Sequence, residues 1–212
     1  MITQIEQALV DRLQRGLGRL VNTVKSYGGE LDNESLSTSR LPICLVTFGG
    51  SRIERMGTNA KRHQSTATFV VIVAVNSLRS NLAARQGGVN EREVGVNQLI
   101  TAVRRLLDAQ TLGRLVKPLK PTNVRTIFNN AAFKGGAITA YAIEYEAVYD
   151  DLAPLEDGLY PEHTQDSNNP DYVFTRYQGE HSEPAPMLEC IGGSIYDPIT
   201  GAAVPFEVET KE

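Results

Sequence analysis

The run TATFVVIVAVN (66–76) is apolar at every position from Phe69 to Val75. Successive side chains of a strand point to opposite faces, so a strand apolar at both parities has to be covered above and below. It belongs in the middle of a sheet, and the rest of the chain has to supply its neighbours. Three segments read as those neighbours. LPICLVTF (41–48) is a short apolar run closed by Gly49-Gly50, and TNVRTIFN (122–129) alternates. AITAYAIEYEAVYD (137–150) is a long strand with two unlike faces. Tyr141, Ile143, Tyr145, Ala147 and Tyr149 form a face expected to pack on helices, whereas Ala140, Ala142, Glu144 and Glu146 form one expected to meet water or a partner.

Two segments have helical spacing. Over residues 2–24, Ile5, Leu9, Leu13, Leu17, Leu20 and Val24 recur every three or four positions, with Thr3 and Glu6 placed as a capping box and Gly28-Gly29 as the terminator. A second helix is expected from Asn90 as cap, with Glu91 and Glu93 in its first turn. It carries the stripe Val96, Ile100, Val103 and Leu107 and ends near Leu112, before Gly113. Residues 30–40, 49–65 and 77–90 read as connections. The expected architecture is α+β: a single mixed or antiparallel sheet of about four strands, with two helices packed on one face, over residues 1–150. Residues 151–212 form a Pro-rich acidic extension that holds seven of the ten prolines. PMLECI and SIYDPITGAAVPF read there as short strands around a turn at 197–201, and the remainder as loop. So few core residues cannot support an independent fold, which points to an arm resting on a partner or to a disordered tail.

Charge is sorted along the chain. Residues 1–127 carry 18 Lys and Arg against 9 Asp and Glu, and residues 128–212 carry 3 against 16. The net charge of −4 conceals this segregation. It fits a basic surface with an acidic tail, head-to-tail contact between copies, or two halves that neutralise each other within one fold. No apolar stretch is long enough to span a membrane, and MITQIEQALVDRLQRGL lacks the basic start and apolar block of a secretory signal, so an intracellular protein without a membrane partner is expected. The two cysteines, Cys44 and Cys190, lack metal-ligand spacing.

Motifs for catalysis are missing. Walker, GxGxxG and HExxH patterns do not occur, and Gly49-Gly50-Ser51 and Gly192-Gly193-Ser194 lack the closing glycine of a nucleophile elbow. His63, His163 and His181 lie in expected loops without a second ligand at helical spacing. Asp166, Asn168 and Asp171 faintly resemble a calcium loop, but Pro170 intrudes and the required glycine is missing. Catalytic, cofactor-binding and metal-binding residues are therefore all expected to be none. The strongest local feature is the basic loop of Arg52, Arg55, Lys61 and Arg62, followed by His63. It suits phosphate or an acidic protein surface. Nucleic-acid readers usually interleave aromatic residues, which this loop lacks, so a protein partner is favoured, with nucleic-acid binding as the alternative.

Taken together, the MITQIEQALVDRL helix, the LPICLVTFGG and TATFVVIVAV strands, the NEREVGVNQLITAVRRLL helix and the strand ending EYEAVYDD resemble the tail terminator proteins of Mu-like contractile-tailed bacteriophages. The resemblance covers about residues 1–150. It implies a virion structural protein, assembled in the host cytoplasm, that forms a hexameric ring at the head-proximal end of the tail. Its implied partners are further copies of itself, the tail tube protein, the tail sheath protein and the neck or connector protein, or else it is itself a neighbouring neck or head-completion protein. Phage DNA would pass through the ring without specific binding. A channel lining should then be acidic or neutral, with Glu144 and Glu146 as candidate lumen-facing acids.

Overall fold

In a computed structural model, strand β3 (His63–Ser77) lies at the centre of a five-stranded sheet. The structure describes residues 1–28, 41–57, 61–77, 94–133, 136–182, 190–196, 199, 201 and 203–209. The other strands are β1 (Thr23–Ser26), β2 (Ile43–Arg55), β4 (Lys120–Phe133) and β5 (Gly136–Asp150), in the spatial order β1-β2-β3-β5-β4. β1 runs parallel to β2 and every other pairing is antiparallel, so the sheet is mixed. Phe69 sits opposite both Phe48 and Tyr145 and is fully buried, as are Val71, Val73 and Ala74.

Helices α1 (Ile2–Leu17) and α2 (Val96–Leu107) cover one face. Ile5, Leu9, Leu13 and Leu17 from α1 and Val96, Leu99, Val103 and Leu107 from α2 meet Val46, Phe69, Val71 and Tyr145 of the sheet in one cluster. The helices are tied by Arg12, whose Nε donates to the Leu106 carbonyl at 2.6 Å. Gly16 lets them approach closely, since a Cβ there would lie 2.5 Å from Leu106 Cδ2. On the opposite face Ile43, Leu45, Ile72, Ala74, Ile138 and Ala140 form a second buried cluster. Both parities of the central run are thus buried.

The structure corrects four expectations. First, the sheet has five strands rather than about four. The added strand, β1, falls inside the expected 2–24 helix: α1 ends at Gly18, whose φ of 50° turns the chain, and a single 3-10 turn follows. Val24 keeps the helical spacing yet packs on the core from a strand. Second, most of the segment 49–65 is not a loop. Gly49 is the extra residue of a β-bulge, and pairing resumes at Gly50–Thr68 and runs on to Arg55–His63. Beyond the bulge β2 is exposed on both faces, so its ladder persists without hydrophobic alternation. Third, α1 starts without a side-chain cap, so Thr3 and Glu6 do not form the expected box. Fourth, α2 ends at Leu107 rather than near Leu112. Asp108 adopts an extended conformation, and Ala109, at φ 60°, bonds back to the Leu119 carbonyl. The expected cap at Asn90 and the acids Glu91 and Glu93 lie outside the described residues.

The chain divides into two units, Met1–Ala153 and Pro154–Glu212. The second contains α3 (Tyr172–Arg176), in a stretch read as loop, and a hairpin of β6 (Cys190–Tyr196) with β7 (Ala203–Glu209). Much of the expected PMLECI strand, and Asp197, Pro198 and Thr200 of the expected turn, lie outside the described residues.

The contrast between centre and rim is measurable by urea unfolding. Phe69→Ala, at a fully buried position, should lose about 3–5 kcal/mol. Ile53→Ala, 62% exposed beyond the bulge, should stay within about 0.5 kcal/mol of the parent.

Candidate functional site

The outer halves of β2 and β3 form a polar arm. Arg52 stands opposite Thr66 and Arg55 opposite His63, three residues apart, so they emerge on opposite faces. Arg52 is 80% exposed and reaches along the strand to Glu54, Nη2 to Oε1 2.6 Å. An exposed pair of this kind adds only about 0–1 kcal/mol and leaves the arm's surface hydrated. Lys61 and Arg62 are exposed at the return, which is closed by Met56 N–H donating to the Arg62 carbonyl at 2.8 Å.

The arm's outer end is pinned to the end of β5. Gln64 Nε2 donates to Asp150 Oδ1 at 2.7 Å, and Ser65 Oγ donates to Asp151 Oδ2 at 2.7 Å. Asp151 N–H donates to the His63 carbonyl at 3.0 Å. A cleft of about 790 Å³ opens here, lined among others by Met56, Lys61, Arg62, His63, Lys117 and Asp151. Of the four sequence candidates it brings together Lys61 and Arg62, whereas Arg52 and Arg55 lie outside its lining. Lys117 was not singled out by the sequence. It sits just before Pro118 in a connection, and its N–H bonds the Val148 carbonyl at 2.8 Å, which carries it to this end of the sheet. The cleft combines cations with two carboxylates, Asp150 and Asp151, an arrangement suited to polar contact with another protein.

Glu144 and Glu146 stand on β5, on the face away from the helices, and both are half-buried. Each is paired across to β4: Arg125 Nε lies 2.7 Å from Glu144 Oε1, and Lys120 Nζ lies 3.2 Å from Glu146 Oε2. Basic and acidic parts of the chain neutralise each other here, and the surface is a ladder of ion pairs rather than bare acid.

A second polar group lies at the edge of the core, joining buried Tyr145 to exposed Arg104 through Asp108. The Tyr145 hydroxyl donates to Asp108 Oδ1 at 3.0 Å, and Arg104 Nη2 donates to Asp108 Oδ2 at 2.8 Å. Burial, together with the Asp108 hydrogen bond, pushes the Tyr145 phenol far above its usual range. Burial also pushes the Cys44 thiol up to about 12. Both shifts favour the neutral acid, the reverse of what activates a nucleophile.

The remaining sequence candidates are dispersed. Ser51 and Ser194 lie within strands rather than turns. Asp166 Oδ1 accepts from the Asn168 N–H at 2.9 Å, so the calcium-like stretch is a local turn. His163 and His181, 18 positions apart in sequence, are brought edge to face with ring centroids 5.3 Å apart. Among the described residues no group of three His, Cys, Asp or Glu gathers as a metal site, and no helix is long and apolar enough to cross a membrane.

The Cys44 environment makes a pH prediction. Its folded pKa is raised above the unfolded value of 9.0, so its contribution to stability is complete below pH 9 and is lost as pH climbs toward 12. In that window stability should fall by about 1.4 kcal/mol per pH unit from this group, and Cys44→Ala should remove that slope in urea titrations. The native thiol should resist maleimide at neutral pH and react on unfolding.

Residues 1–150 match the protein family described as Bacteriophage Mu, Gp37. No curated protein matches the chain.

Proposed function

The chain belongs to the Bacteriophage Mu Gp37 family, and from that premise we propose that it is a structural tail protein, a tail terminator. In this reading copies of the chain close into a hexameric ring at the head-proximal end of a contractile tail. The ring caps tube and sheath and offers a surface to the neck. Its partners are other copies, the tube and sheath proteins and the neck protein. It carries out no catalysis and needs no cofactor or metal.

The observation that carries this reading is the basic arm. A hydrogen-bonded ladder carries Arg52 and Arg55 out from the core, Lys61 and Arg62 follow at its end, and all four residues are exposed. Such a rigid, charged projection suits a contact that must fix orientation between large bodies. The ion-paired face around Glu144 and Glu146 suits a channel lining. Paired charges there would neither hold nor strongly repel passing phosphates, and DNA would cross without specific binding. Closed rings use heterologous interfaces, in which one surface meets a different surface of the next copy, and a chain with segregated charge supplies two such surfaces.

Charge reversal tests the assignment. Arg52→Glu with Arg55→Glu should weaken ring or tail assembly by at least about tenfold and leave the unfolding curve unchanged within about 0.5 kcal/mol, because both side chains are exposed. Normal assembly by the double variant would remove the arm from the interface. In low-salt gel shifts with duplex DNA the parent protein should show no steep, salt-dependent binding. A steep dependence would favour nucleic-acid binding through the same four residues.

A further inference from the structure

The β6–β7 hairpin has one apolar face with no cover from its own strands. Its register sets Ile191 opposite Val208, Gly193 opposite Phe206 and Ile195 opposite Val204, all on one side. The Phe206 ring lies over Gly193, where a Cβ would stand 2.9 Å from the ring. Even so, the five apolar side chains are 43–67% exposed. A two-stranded hairpin is marginal in water by itself. Alternation this regular, without burial, marks a face shaped for a partner.

Charge narrows the choice of partner. The unit Pro154–Glu212 contains twelve Asp and Glu against two Lys and Arg. Glu207 lies on β7 between Phe206 and Val208. Nucleic acid and anionic lipid would be repelled, so the partner needs a cationic surface with apolar residues set into it. The basic arm has that chemistry. Ile53 is 62% and Met56 43% exposed; Arg55 shares the face of Ile53, and Met56, Arg62 and Lys117 line the adjoining cleft. The two surfaces are unlike and belong to the same polypeptide. Pairing them between molecules is heterologous, and repetition of such a contact builds a ring.

We propose that the apolar face of the β6–β7 hairpin docks on the basic arm of a second copy, around Ile53 and Met56. The inference rests on the self-assembly proposed above and adds to it the contact that joins neighbours. It makes the C-terminal unit a clasp between subunits.

Cross-linking tests it with the full chain, under conditions where light scattering shows self-association, in solution or on purified tail tubes. Ile53→Cys and Phe206→Cys are made separately in a Cys190→Ser background, Cys44 being buried. Mixing the two variants with a short bis-maleimide should give covalent dimers, and neither variant alone should do so. Phe206→Asp should weaken self-association about tenfold or more without loss of the folded core. Self-association without the mixed cross-link, or a cross-link that forms only within one chain carrying both cysteines, would overturn this contact and leave the ring standing. A chain that never self-associates, even on tubes, would overturn both.

Discussion

The fold depends on two-sided burial of β3. From Val71 to Val75 every side chain is enclosed, so both faces of the sheet have to be covered and a strand must pair along each edge. Transfer of apolar area from water is the largest favourable term in folding, and it is concentrated at this strand. The α1–α2 layer, with its tie from Arg12 to the Leu106 carbonyl, is arranged to cover one side of it. The Ile43–Leu45–Ile72 cluster occupies the other side.

Strand β2 outruns that core. Past the bulge at Gly49 it is largely exposed and held by its ladder with β3, whose Ser65 and Ala67 stay buried on one side beside Ala147 and Tyr149 of β5. Hydrogen bonds in water contribute modestly each, but a ladder fixes direction. An extension of this kind spends little of the hydrophobic core and still positions charged groups rigidly. It keeps the charged outer part of β2, where Arg52 and Arg55 are exposed, apart from the buried centre around Phe69.

The elements set by burial were largely legible in the sequence, but Ala140 and Ala142, read as facing water or a partner, are buried on the second face of the sheet. The both-faces run at 69–75, the aromatic parity of Tyr141, Tyr145 and Tyr149, and the stripes of both helices correspond to buried positions or to residues packed against the core, except Leu20, which is exposed. Elements set by backbone hydrogen bonding were not legible. The outer arm looked like a loop because Arg52, Glu54 and Arg55 show no apolar alternation, and Gly49-Gly50 looked like a stop when it is a bulge. β1 was hidden because Val24 happens to continue the helical spacing of α1. Of the candidate site residues, Lys61 and Arg62 were visible as a basic cluster. The approach of Lys117, and the pairing of Glu144 and Glu146 with β4, arise from connections between residues far apart in the chain and leave no local pattern.

A polar arm on a doubly buried strand, an ion-paired sheet face and an acidic C-terminal unit with an open apolar hairpin are the features on which the proposed assembly rests. Phage family membership sets the context in which that assembly is sought. The most direct measurement is electron imaging of the protein alone and with tail tubes, its position marked by a C-terminal tag. A closed ring seated at the head-proximal end of the tube is expected. Density for the tagged chain at the baseplate, along the tube wall or away from the particle altogether would contradict it.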